Sequence, residues 1–298
     1  MKKGKKILLV LLFVVLGLQL FFYFQEPGLF LAPGGYQDVN IHVRNLPPVI
    51  ESVDNVPANV VLLAGTTSTV TFNFTGRDRN GGKDMVLGNA TITRAGEQER
   101  IDASCDIVSS IGKRRTFNCN VDMEYYDTDD LWTVMVSVQD LSGLVASDST
   151  QTTTPNLLKD ITLSPATINF GSVDPGQENV TLNNVIITNH GNFETAQDGA
   201  VSITGLDLIG QVNPLELISA ADFNADDIGN FVDVCSTGTA LINDTSVGTT
   251  IVLPRYDGVT VGSDEGGIAF CIPLVPEISA QTYIASGGVT GNSWIVGI

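Results

Sequence analysis

In the stretch Val70-Thr-Phe-Asn-Phe-Thr75, apolar and polar residues alternate without a break. The pattern returns where Trp132, Val134, Val136 and Val138 alternate with Thr133, Met135 and Ser137. Successive side chains of a strand point to opposite faces, so each stretch reads as a strand with one face in a core and one toward solvent. From about Val49 to Ser149 such segments follow one another at short intervals, and none has helical period. An antiparallel β-sandwich is the architecture this pattern predicts.

The polar stretch Ser149-Thr-Gln-Thr-Thr-Thr-Pro-Asn156 ends its threonine run at a proline and is read as a boundary, with a linker over 150–159. Beyond it, Thr167-Ile-Asn-Phe-Gly-Ser-Val-Asp-Pro-Gly176 is followed by Val180, Leu182, Ile186 and Thr188-Asn-His-Gly-Asn192, a succession of strand, turn, strand and turn. Asp174-Pro175-Gly176 supplies a turn in which proline presets φ and glycine is permissive. The chain therefore reads as all-β, with two tandem sandwiches of immunoglobulin type over 49–149 and 160–298. The closing Ser293-Trp-Ile-Val-Gly-Ile298 is expected to dock as a last strand.

Two resemblances accompany this reading. The FGSVDPG…ITNHGN pairing resembles the opening hairpin of immunoglobulin-like modules of the ASH/HYDIN group. The combination of DRNGGKD (78–84), MEYYDTDDLW and Asp140-Leu-Ser-Gly143 is similar to PKD- and cadherin-like modules. Both groups occur in bacterial and archaeal surface proteins, so the resemblance implies an exported, membrane-anchored chain.

The amino terminus agrees. A basic stub, residues 1–6 with four lysines, precedes an apolar run over 7–24 broken only by Gly17 and Gln19. As a helix this run rises about 27 Å, close to the hydrocarbon thickness of a bilayer. Phe30 ahead of Ala32 makes a poor cleavage site, so the run is read as a transmembrane signal anchor with the lysines on the cytoplasmic side. Residues 25–48, rich in proline and glycine, form a stalk, and both domains lie outside the cell membrane. Lys3-Gly4 before an apolar helix is also similar to the leader of type IV pilins, which implies an alternative in which the chain is a filament subunit.

The net charge of -18 includes the four leader lysines, so the external part is more acidic still. From Ile161 onward there are 15 acids and one base, Arg255. Such a surface repels nucleic acid and excludes it as a partner. Only two histidines occur, His42 and His190, and no nucleophile, metalloprotease or phosphate-loop motif is present, so the chain is read as no enzyme. The expected role is adhesion, recognition or envelope structure, with a protein or glycan surface as partner. A third reading is a cation- or solute-binding module of a membrane complex. Lys113-Arg114-Arg115 is read as a basic tip able to dock on the acidic second domain of a neighbour.

Four cysteines in an oxidising location predict two disulfides. Sequence position suggests Cys105–Cys119 and Cys235–Cys271. The first is expected buried between the alternating faces Ile101/Ala103/Cys105/Ile107 and Phe117/Cys119/Val121/Met123, and the second nearer the surface. Oxygen-bearing positions at Asp222, Asn224, Asp226, Ile228, Asn230 and Asp233 have the spacing of a calcium loop, making calcium the one cofactor suggested. Asp78, Asn80 and Asp84 form a lesser version beside Gly81-Gly82, which reads as a hairpin tip. Glycosylation sequons stand at Asn73, Asn89, Asn179 and Asn243.

Overall fold

Strands account for most of the regular secondary structure in the computed structural model, which describes residues 40–286 and 293–298. The expected anchor over 7–24 lies outside these residues, and among the described ones no helix is long and apolar enough to cross a membrane.

The N-terminal half contains β1 (Val49–Asp54), β2 (Asn59–Val60), β3 (Ser68–Arg77), β4 (Met85–Thr93), β5 (Arg100–Asp102), β6 (Asp106–Ile111), β7 (Arg114–Met123), β8 (Trp132–Asp140) and β9 (Val145–Pro155). They form two sheets, ordered β1-β3-β7-β6 and β2-β9-β8-β4-β5. The even-numbered residues of β3 and β8 are buried, as the alternation requires. Phe72, Phe74 and Phe117 of one sheet share a core with Ile92, Trp132 and Val136 of the other, and Phe74 stacks on Phe117 at 4.9 Å between centroids. Each of these large side chains contributes about 1.5–3 kcal/mol relative to an exposed position.

Cys105 and Cys119 are disulfide-bonded and buried, yet Ile101 and Ile107 face solvent at 56% and 50% exposure. The chain bends between β5 and β6, where the Cys105 N–H donates to the Gly88 carbonyl, so the alternation does not run through the cysteine. Thr150 to Pro155 belong to β9, where β-branched residues suit a strand and the buried Thr153 hydroxyl donates to the Pro57 carbonyl at 2.7 Å. Gly81-Gly82 is not a hairpin tip: β3 and β4 lie in different sheets, and the segment crosses between them. A Cβ on Gly82 would sit 2.4 Å from the Arg114 carbonyl oxygen.

The C-terminal half contains β10 (Ile161–Ser164), β11 (Glu178–Asn189), β12 (Ser202–Thr204), β13 (Leu208–Gly210), β14 (Leu217–Ile218), β15 (Asn224–Asp227), β16 (Thr239–Ala240), β17 (Val247–Gly248), β18 (Glu265–Leu274), β19 (Tyr283–Ala285) and β20 (Ile295–Gly297). The main sheet is ordered β10-β11-β18-β15-β16, and two three-stranded sheets, β17-β12-β20 and β14-β13-β19, accompany it. Phe193, Ile203, Phe223 and Phe270 are fully buried in their shared core. β18 is buried on both faces from Gly266 to Ile272. Its outer face is covered by the short helix Val234–Thr237, where Val234, Ala269 and Cys271 cluster. Cys235 and Cys271 are disulfide-bonded, with Cys271 wholly buried because that helix lies over it.

The two halves belong to one compact unit over Asn45–Ile298. Asn192 donates to the Asp127 and Asn156 carbonyls at 2.8 and 3.0 Å, and its Oδ1 accepts from Leu158 N–H at 2.6 Å. The Gly65 N–H donates to the His190 carbonyl at 3.0 Å. A Cβ on Gly191 would meet the Leu158 carbonyl oxygen at 2.1 Å, so this turn closes around a residue without a side chain. Tyr256 packs edge-on against Tyr126 at 5.0 Å.

Candidate functional site

β3 runs from the junction, near Gly65, to the far end of the N-terminal half, where the chain turns at Asp78. Its buried phase passes through Phe72, Phe74 and Gly76 and ends on Asp78, which is fully buried. β8 does the same: its buried phase ends on Asp140, 2% exposed. Asp84 closes the crossing segment between β3 and β4. One carboxylate oxygen of each of Asp78, Asp84 and Asp140 lies within 4.8 Å of the others.

Part of this cluster is satisfied by the protein. Asp78 Oδ1 accepts from the Asn80 N–H at 2.6 Å. Asp140 Oδ1 accepts from Ser142 and Leu144 N–H at 2.9 and 2.8 Å, and its Oδ2 from Asn45 Nδ2 at 2.7 Å. Two buried oxygens have no donor, Oδ2 of Asp78 and Oδ1 of Asn45. Among the described residues none of the three carboxylates forms an ion pair. Burial, then the charges of Asp78 and Asp140, raise the Asp84 carboxyl above its ordinary value.

The stretch from Asp222 to Asp233 is arranged differently. Asp222 Oδ2 accepts from the Ser219 N–H at 3.0 Å, closing a capping box. Asn224 and Asp226 stand in β15, where Asn224 Nδ2 donates to the Cys235 carbonyl at 3.0 Å. Asp226 is buried, and its Oδ1 accepts from the Asp227 N–H, Asn230 Nδ2 and the Thr250 hydroxyl. The Ile228 carbonyl accepts from Phe231 N–H, and Asp233 is exposed with its carbonyl capping the helix that follows. The loop reading thus falls partly on a strand, and its side chains go to separate partners.

Another grouping, Asp102 with Cys105 and Cys119, has its sulfurs tied in the disulfide and holds no thiolate. A cavity of about 340 Å³ in the C-terminal half is walled by Ile168, Phe170, Phe270 and Val296; the Trp294 indole beside it donates to the Leu206 carbonyl at 2.9 Å. In the basic tip, Arg114 already holds Glu51 at 2.5 Å and Arg115 donates to the Met85 carbonyl. Of the sequon residues, Asn179 and Asn243 are exposed, whereas Asn73 and Asn89 are half-buried in mid-sheet with their amide oxygens accepting from Asn118 and Ser137. Sequence spacing joined Asp78 to Asp84 but missed Asp140 and Asn45. The signal for Asp140 was present, since it occupies the next buried position after Val138.

No protein-family model matches the chain, and no curated protein matches it in sequence.

Proposed function

We propose that this is a single-pass, membrane-anchored protein whose two tandem immunoglobulin-like sandwiches lie outside the cell and serve adhesion, recognition or envelope structure. The observation that carries the reading is that all four cysteines are paired, one disulfide in each half, in a chain that opens with a lysine-flanked apolar segment. Disulfides persist in oxidising compartments, and the segment supplies the means of reaching one. Likeness to PKD/cadherin-like and FGxVxPG-type surface modules supports the same location. Recognition would use loops and sheet edges, with a protein or glycan surface as partner.

The test is the intact non-reduced mass and amino-terminal sequence of the protein from washed membranes. A chain beginning near Met1 with both disulfides supports the anchored reading; reduced thiols or a start after Ala32 sinks it. A filament subunit is the second reading, favoured by the edge strand β6, whose six residues are all exposed and include Ile107, Val108 and Ile111. A start at Lys5, together with sedimenting polymers, would select it.

A further inference from the structure

We propose that Asp78, Asp84 and Asp140 bind a hard divalent cation of the calcium class. Three acids from two separate segments converge here, Asp78 and Asp84 flanking the crossing between the sheets and Asp140 ending β8, and Asn45, which precedes β1, donates its amide N–H to Asp140. The three acids offer carboxylate oxygens, the donors that calcium prefers over softer metals.

The second observation is independent of the clustering. Asp78 is fully buried, yet its Oδ2 has no hydrogen-bond partner, and neither has the buried Oδ1 of Asn45. A buried carboxylate oxygen without a donor is strongly disfavoured, and nearly all such atoms in folded proteins find a partner. A cation among the three acids would give the Asp78 carboxylate the partner it lacks and offset their mutual repulsion. The hydrogen bonds already made by Asp140 do not exclude this, because each carboxylate oxygen has two lone pairs.

Isothermal titration of the chelator-stripped full chain in detergent, paired with thermal melts, tests it. Calcium chloride should bind at one site with half-saturation on the order of 0.1–1 mM, as in extracellular modules. At 10 mM it should raise Tm by about 3–10 °C, and magnesium should bind at least about tenfold more weakly. Asp84→Asn, at the less buried position, should fold and lose about tenfold or more in calcium affinity. Asp78→Asn should abolish the calcium-dependent rise, and should melt no lower than wild type in chelator because it removes one of the clustered charges. No heat and no Tm change up to 10 mM calcium would overturn the proposal. So would tighter binding of magnesium, or calcium binding undiminished in Asp84→Asn.

Discussion

The guanidinium of Arg255 closes on the carboxylate of Glu97 across 158 residues of chain, with Nη2 to Oε1 at 2.7 Å and Nη1 to Oε2 at 3.2 Å. Nη1 also donates to the Tyr126 carbonyl at 3.0 Å. The only base of the sequence after Ile161 is therefore spent on joining the two halves. Both side chains are largely removed from solvent, at 22% and 10% exposure, so the forked pair is screened less than a surface one.

Arg255→Ala should destabilise the protein by about 1.5–3 kcal/mol, the range for hydrogen bonds to charged groups. Arg255→Lys should recover only part, since a point charge cannot make both bonds. Urea unfolding measures both. A change within about 0.5 kcal/mol for the alanine variant would show that the contact adds nothing.

Asp127 is wholly buried and accepts from Arg100 Nη2 at 2.6 Å and Nε at 3.0 Å. Burial pushes its carboxyl up, and the hydrogen bond and charge of Arg100 only partly offset this. Asp127→Leu should cost about 3–5 kcal/mol, because it strands a buried guanidinium. The double variant Arg100→Met/Asp127→Leu should regain more than half of that loss. If the double variant is as unstable as the single one, packing rather than charge holds this corner.

The two disulfides close loops with sequence separations of 14 and 36. The chain-entropy relation assigns them about 3 and about 4 kcal/mol. Cys105→Ser/Cys119→Ser and Cys235→Ser/Cys271→Ser should therefore both melt earlier, the second pair more so. A reversed order in calorimetry would mean that burial of the replacement hydroxyls outweighs loop length.

Glu216 Oε2 accepts from the Ser279 hydroxyl and N–H, the Tyr283 hydroxyl and Gln281 Nε2, a set that holds its carboxyl below the ordinary 4.5. A lowered folded value stabilises the protein above the unfolded value, and that stability is lost as pH falls below it. Tm should thus fall more steeply from about pH 5 to pH 3 in wild type than in Glu216→Gln. Parallel curves would rule this carboxylate out as a contributor.

Period-2 patterning made β3, β7 and β8 readable and, followed one step further, would have marked Asp78 and Asp140 as acids on a core face. It failed where its physics does not apply. β18 is covered on both sides and carries a continuous apolar run, which alternation cannot register. The strands of the smaller sheets are two or three residues long, too short to show any period. The oxygen spacing from Asp222 to Asn230 is ambiguous for a related reason: ligands at positions 1, 3 and 5 of a loop have the same spacing as one face of a strand, and β15 occupies part of it. Asn45 had no local signal, since it meets Asp140 across 95 residues.

β18 is the middle strand of its sheet, between β11 and β15. On a growing chain it arrives late: β11 is complete at Asn189, but its partner is not finished until Leu274. At ordinary elongation rates that leaves β11 without its central neighbour for on the order of ten seconds. In the N-terminal half the long central strands wait less, β3 ending at Arg77 and its partner β7 at Met123, and only the two-residue β2 waits longer, for β9. Biosynthesis thus gives the two halves unequal exposure to misassembly, and the interval before β18 emerges is when the C-terminal half has most need of a chaperone.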